Sequence, residues 1–223
     1  MSMPKNKVIF VTATDTGVGK TVTTAVLGVL LESQGVNVGV MKPVQCAGSD
    51  AQFLKKILGL QDDPKIINPF YAPEPLSPHL AFLRSKIKFD KRLVQERLKE
   101  LRTRHDIILV EGAGGLMVPL THSYYNADLI VDLKADVIIV ARLGIGTINH
   151  TLLTINEVKR RKLKIMGLIF CETKPRRKGL VENSNPQEIE KLSGVKILGI
   201  IPYLKPLNRK NILRLCQNFK LNV

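Results

Sequence analysis

Tryptophan is absent, and seven phenylalanines and four tyrosines bring aromatics to only 5% of 223 residues. Modules that hold single-stranded nucleic acid stack bases on interleaved aromatic rings, so this scarcity removes one of their common signatures. Cysteine is also scarce. Cys46, Cys171 and Cys216 lie far apart, form no CxxC and have no histidine at metal-ligand spacing, which argues against a disulfide framework or a zinc site and for a reducing, cytoplasmic setting. Acidic residues run short: 19 Asp+Glu against 34 Lys+Arg give a net charge of +15, which suits nucleic acid, a membrane surface or small anions without choosing among them. No apolar run has the length of a membrane span, and MSMPKNK is followed only by a short strand-like run, too brief for a signal-peptide core. The expectation is a soluble intracellular protein that does not enter a membrane. Internal repeats and low-complexity tracts are absent too.

What remains is 44% hydrophobic, enough for one large core, and a single domain over residues 1–223 is the default. Short, nearly continuous apolar runs occur at KVIFVTA, VNVGVMKPV, DIILVEG, ADVIIVA, KIMGLIFCE and VKILGIIP, as in strands covered on both faces. Helical patterns fall at 20–34, 49–58, 90–104, 126–133, 148–161 and 186–193. This alternation predicts an α/β fold with a doubly wound, mainly parallel sheet, whose ligands bind at the carboxyl ends of the strands. The proline-rich stretch 62–80 reads as an ordered loop inside the alternation, and 172–186 as a second, polar loop. Basic residues gather in KRLVQERLKELRTRH, KRRKLK and KPRRK; the first two have helical periodicity and read as solvated helix faces before they read as a nucleic-acid surface.

The stretch TATDTGVGKT, residues 12–21, lies between the first strand and the first helix, the setting of a P-loop NTPase-like fold. Backbone N–H groups of residues 16–21 would wrap a polyphosphate with the positive helix end behind them, and Gly17 and Gly19 would let the chain approach closely. Lys20 would reach the β/γ-phosphates, and the Thr21 hydroxyl would be a Mg²⁺ ligand, since a hard cation prefers oxygen. Thr14 stands where the strict pattern has its first glycine, which weakens the match to the pattern but not the helix-end physics. Glu111, ending DIILVEG, is placed as the acidic residue of a nucleotide–metal site. Asp50, in AGSDAQFL, is either a second metal carboxylate or part of a helix cap with Ser49; spacing does not separate the two. Lys42, at the end of VMKPV, points to the carboxyl edge of the sheet, toward the same crevice as Lys20. Two lysines there suit a reaction that builds negative charge beside a transferring phosphoryl group.

TATDTGVGKT, KPV with AGSDA, NPFYAPEPLSPHLA, VEGAGGLMVPL, LGIGTINHTLLT and LGIIPYL, in this order over residues 12–204, resemble dethiobiotin synthetase of biotin biosynthesis. EPLSPH and VEGAGGLMVPL carry most of the specificity. The resemblance implies a homodimeric enzyme that uses ATP and Mg²⁺ to close a ureido ring on 7,8-diaminopelargonic acid and CO₂. One substrate amine takes up CO₂ as a carbamate, the γ-phosphate activates the carbamate oxygen, and the second amine closes the ring. It further implies nucleotide contacts at Thr16, Gly17, Val18, Gly19, Lys20, Thr21, Val22, Cys171 and Pro202, and metal contacts at Thr21, Asp50 and Glu111. On the substrate side it implies Lys42, Cys46, Gly114, Gly115 and Asn149, with Lys20, Lys42 and Thr16 around the reacting groups. Asn149 would reach the substrate carboxylate of the other subunit; it also reads as an N-cap for a helix beginning at His150. His79 and His150 have no partner at catalytic spacing and read as structural.

Two positions depart from the family pattern. Cys171 stands where an asparagine often meets adenine, and a thiol is a weak donor and acceptor, so base selectivity loses a side-chain contact. Cys46 stands in place of a serine near the substrate. Rival readings are another P-loop ATPase or amide-forming ligase, or a basic, nucleotide-switched module that binds nucleic acid. Partitioning ATPases of the MinD type carry lysine where this chain has Asp15, and 223 residues leave no room for the glutaminase domain of amidase-type relatives.

Overall fold

In a computed structural model, which describes residues 6–175 and 179–216, strands and helices alternate along almost the whole chain. The order begins β1 (Lys7–Ala13), α1 (Lys20–Ser33), β2 (Val38–Met41), β3 (Val44–Cys46), α2 (Asp50–Leu58), α3 (Pro64–Ile67), β4 (Phe70–Ala72), α4 (Pro78–Arg84) and α5 (Lys91–Arg102). It continues with β5 (Ile107–Glu111), β6 (Pro119–Thr121), β7 (Tyr124–Tyr125), α6 (Asn126–Leu133), β8 (Asp136–Ala141) and α7 (Thr147–Arg160). It closes with β9 (Ile165–Cys171), α8 (Leu180–Ser193), β10 (Ile197–Ile201) and α9 (Arg209–Cys216). Six strands form one sheet in the order β10-β9-β8-β1-β5-β2, and every pairing in it is parallel.

The side-chain period of two divides each central strand between two cores. Val8 and Phe10 of β1, with Ile108 and Val110 of β5, pack against apolar residues of α5, α6, α7 and α8. Ile9 and Val11, with Ile107 and Leu109, pack against α1, α2 and α9. Covered on both faces, these strands need apolar residues at nearly every position, hence runs such as IILV with no polar alternation. The register places Val11 beside Glu111 and Met41 beside Val110, so β1, β5 and β2 end together at one edge.

Two regions depart from the sequence expectation. Residues 62–80 contain α3, β4 and the start of α4, with β4 pairing in parallel with β3 in a separate two-stranded sheet. Both α3 and α4 carry proline at their first turn, where the missing N–H costs no helical hydrogen bond, so prolines that read as loop are helix starts. The second polar loop is shorter than expected, because α8 begins at Leu180 and runs through Pro186. Part of KPRRK lies outside the described residues. The other basic stretches are held in ion pairs: Arg160 and Arg161 on Glu157, Arg161 also on Asp128, Lys164 on Asp136, Lys91 on Asp132 and Arg104 on Asp62. Among the described residues no helix is long and apolar enough to cross a membrane.

Candidate active site

The chain leaves β1 and turns through Gly17 (φ 72°) and Gly19 (φ 98°), both in the left-handed region that favours glycine. Gly19 is the N-cap of α1, which starts at Lys20 as the sequence predicts. Thr14 N–H donates to Val140 O at 3.0 Å and Asp15 Oδ1 accepts from Thr16 N–H at 2.7 Å, which pins the loop to the sheet edge. A Cβ on Gly19 would run into the thiol of Cys171, so β9 ends directly against this turn.

Lys20 is buried, and among the described residues its ammonium meets only a backbone oxygen, Asp15 O at 3.4 Å. Burial, and then repulsion from Lys42, pull its pKa down to about 8, with Glu111, Asp50 and Asp15 offsetting part of the effect. A buried cation without a paired carboxylate at a helix N-terminus is an arrangement that an anion would complete.

Lys42 is clasped differently. Its Nζ lies 3.1 Å from Asp50 Oδ2, makes a short contact to Glu111 Oε1 and reaches Gly112 O at 3.5 Å. Burial alone would lower its pKa, but Glu111 and Asp50 outweigh that and hold it above the ordinary lysine value. The Thr21 hydroxyl donates to the same Glu111 Oε1 at 2.9 Å, while Glu111 Oε2 is buried with no partner among the described residues. Two carboxylates therefore hold one ammonium, and the Thr21 hydroxyl joins them through Glu111, whose second oxygen stays unsatisfied among the described residues. The oxygens of Thr21, Asp50 and Glu111 are the donor type that a hard divalent ion would take. The Ser49 side chain makes no cap hydrogen bond, and the Asp50 carboxylate turns to Lys42.

These residues line a cavity of about 580 Å³. Of the residues singled out in the sequence it brings together Thr16, Gly17, Gly19, Lys20, Thr21, Val22, Lys42, Cys46, Asp50, Glu111 and Gly114. Burial raises the Cys46 thiol pKa, against the pull of nearby Lys42. Others lie apart. Val18 is in the core, and Cys171 is 2% exposed behind Gly19, with its pKa pushed up to about 12 by burial. Gly115 packs its backbone against Ala13 O, 3.3 Å from where its Cβ would stand, and borders a smaller neighbouring cavity. Pro202 follows β10 and does not line the main cavity. Asn149 is exposed in the first turn of α7, whose N-cap is Gly146; the capping alternative for Asn149 is incorrect, because the helix begins three residues before His150. His150 meets Arg142, and His79 meets Ser77 of the cavity wall; neither histidine itself lines the cavity.

The cavity also takes in residues the sequence did not single out, namely Val44, Gln45, Ala113, Val118, Thr173 and the wall Pro75–Pro78. The EPLSPH motif had marked that wall as distinctive without a role; its position beside a strand pair that sequence periodicity missed explains the gap.

A glycine turn between a central parallel strand and a helix, with a lysine, a threonine and the carboxylate of the adjacent strand, defines a P-loop ATPase. A family model described as an AAA domain matches residues 7–211, and the chain belongs to that family. Within it, the chain belongs to the ATP-dependent dethiobiotin synthetases. It is 37% identical to the ATP-dependent dethiobiotin synthetase BioD of Nitrosopumilus maritimus over 97% of this chain and 96% of the relative. It is 39% identical to the enzyme of the same name from Halalkalibacterium halodurans, over 87% and 84% of the two chains. The septum site-determining protein MinD of Pyrococcus horikoshii, solved as a complex with Mg-ADP, shares the fold at a TM-score of 0.60 and 20% identity, covering 93% of this chain and 85% of that one.

Proposed function

We propose that this cavity binds ATP and a diamine substrate side by side and closes a ureido ring on 7,8-diaminopelargonic acid with CO₂, within biotin biosynthesis in the cytoplasm, and that residues 1–223 act as one domain. The observation that carries the reading is the convergence of two buried lysines with different partners. Among the described residues Lys20 meets no carboxylate within ion-pair distance and is left for phosphate; Lys42, in the same cavity, is held by Glu111 and Asp50.

In this assignment the backbone of residues 16–21 wraps the phosphates and Lys20 steadies the transferring phosphoryl group. The base lies beyond Gly19, toward Cys171 and Pro202. Thr21, Asp50 and Glu111 hold Mg²⁺, which when bound neutralises phosphate charge. Lys42 orients the carbamate carried by the substrate, and Thr16 lies near the same group. Gly114, Gly115 and Val118 border the aliphatic chain, and Cys46 adds only a neutral thiol. The chain itself need supply no nucleophile, since one substrate amine takes up CO₂ and the other displaces phosphate from the activated carbonyl carbon. Catalysis is then positioning and electrostatics. Asn149, exposed on α7, serves the site of a second subunit in a homodimer.

The test is phosphate release with ATP, Mg²⁺, bicarbonate and diaminopelargonate, each omitted in turn. Release that needs all four, with dethiobiotin formed in equal amount, is the expected result. ATP hydrolysis indifferent to the diamine would refute the reading.

A further inference from the structure

Helix α2 presents Asp50 to the cavity, yet the usual device for fixing such a helix start is missing. An N-cap side chain normally accepts a hydrogen bond from the second or third helical N–H. Ser49 occupies the N-cap position, but its side chain makes no such bond. The N–H of Ala51, the second helical residue, donates instead to Gln45 Oε1 at 2.9 Å. At its other end Gln45 Nε2 donates to Gly48 O at 2.8 Å. Only a side chain with both a donor and an acceptor satisfies that pair, so the orientation of the amide follows from its partners. Gln45 is 2% exposed and lies on β3, before the turn that it braces.

The braced turn is unfavourable by itself. Ala47 (φ 57°) and Gly48 (φ 68°) are both left-handed, and Ala47 pays for it with a Cβ in that region. One backbone bond, Ala47 N–H to Ala72 O at 2.8 Å, ties the turn to β4. We propose that Gln45 is a positioning residue: it caps α2 in place of Ser49 and so holds the Asp50 carboxylate at Lys42, 3.1 Å away. Capping from outside the helix leaves the side chain of Asp50 free to serve the cavity. The inference rests on the proposed role of Asp50.

The experiment compares Gln45→Met, Gln45→Glu, Ser49→Ala and Asp50→Asn in the full chain, reading amide hydrogen exchange at Ala51 together with kcat and KM for ATP. Gln45→Met keeps length and burial but loses both bonds. Its Ala51 amide should exchange about fivefold faster, the equivalent of one lost cap. Its kcat should fall by about tenfold to a hundredfold through misplacement of Asp50, with KM for ATP moving much less. Gln45→Glu keeps the acceptor, so Ala51 stays protected and part of kcat returns. Ser49→Ala should match the parent in every reading. Unchanged Ala51 exchange in Gln45→Met, or a Ser49→Ala variant as impaired as Gln45→Met, would overturn the proposal. If Asp50→Asn keeps the parent kcat while Gln45→Met still loosens Ala51, the assignment of Asp50 has failed and the cap alone stands.

Discussion

A methyl group added at Gly19 tests the turn that the whole site hangs from. Its Cβ would stand 2.8 Å from the Cβ of Cys171, closer still to the Cys171 sulfur, and 3.4 Å from Thr173 Cγ2. Cys171 ends a buried strand and cannot swing aside, and φ at Gly19 is 98°, a conformation that L residues rarely adopt. The backbone contributes about 1–3 kcal/mol of strain. Overpacking against β9 adds about 1–3 kcal/mol. Against a typical stability of about 5–15 kcal/mol, Gly19→Ala should fold but unfold at clearly lower urea, with weaker ATP binding because the displaced turn carries the phosphate-binding N–H groups. The two contributions separate in a double-mutant cycle with Cys171→Ala, which removes the sulfur but leaves the Cβ contact and the φ strain. A favourable coupling of about 1 kcal/mol or more is expected. Additive losses, or a single mutant within about 0.5 kcal/mol of the parent, would show that β9 does not press on the loop.

Lys20→Ala and Thr21→Val should each abolish ATP turnover, measured as phosphate release, with unfolding midpoints near the parent, since both side chains serve ligand more than core. Lys42→Gln should bind nucleotide almost as well as the parent in calorimetry yet lose most diamine-dependent phosphate release. Glu157 predicts an acid limb: its carboxyl is held at about 2, below an ordinary value of 4.5, chiefly by Arg160, with Arg161 helping to overcome the opposing effect of burial. The folded value is the lower one, so the stabilisation is complete above about 4.5 and is lost as pH falls through about 2. Urea midpoints of the parent and Glu157→Gln should therefore converge as pH is lowered from 5 toward 2.

The six strands of the main sheet and the helices α1, α2 and α6 could be read from the sequence because each is a run whose burial is set by its own period: doubly covered strands are apolar throughout, and P-loop chemistry fixes where α1 starts. Lys42 and Glu111 could be found because strand ends in a parallel sheet are where ligands bind, and Thr21 because it follows the lysine of the P-loop pattern, rules that need no coordinates. Prolines at the first turn of α3 and α4 hid those helices, since the same residue also punctuates loops. Gln45 was invisible for a different reason. Its role depends on a turn of two left-handed residues that returns the chain onto it, and no periodicity records that. Likewise, nothing in the motif around Cys171 shows that its thiol is buried against Gly19.

The strand order has a consequence for how the chain comes to be made. β1 and β2 both pair with β5, which lies between them and carries Glu111. A growing chain emerging from the ribosome has finished β1, α1 and β2 long before β5 exists, so a slot must stay open between the first two strands while some 65 residues are added. Until Ile107–Glu111 fills it, Lys20 and Lys42 have no acidic neighbour from β5, and two apolar strand edges face an unfilled gap. ATP supplied during synthesis should therefore stabilise only nascent chains that extend past residue 111.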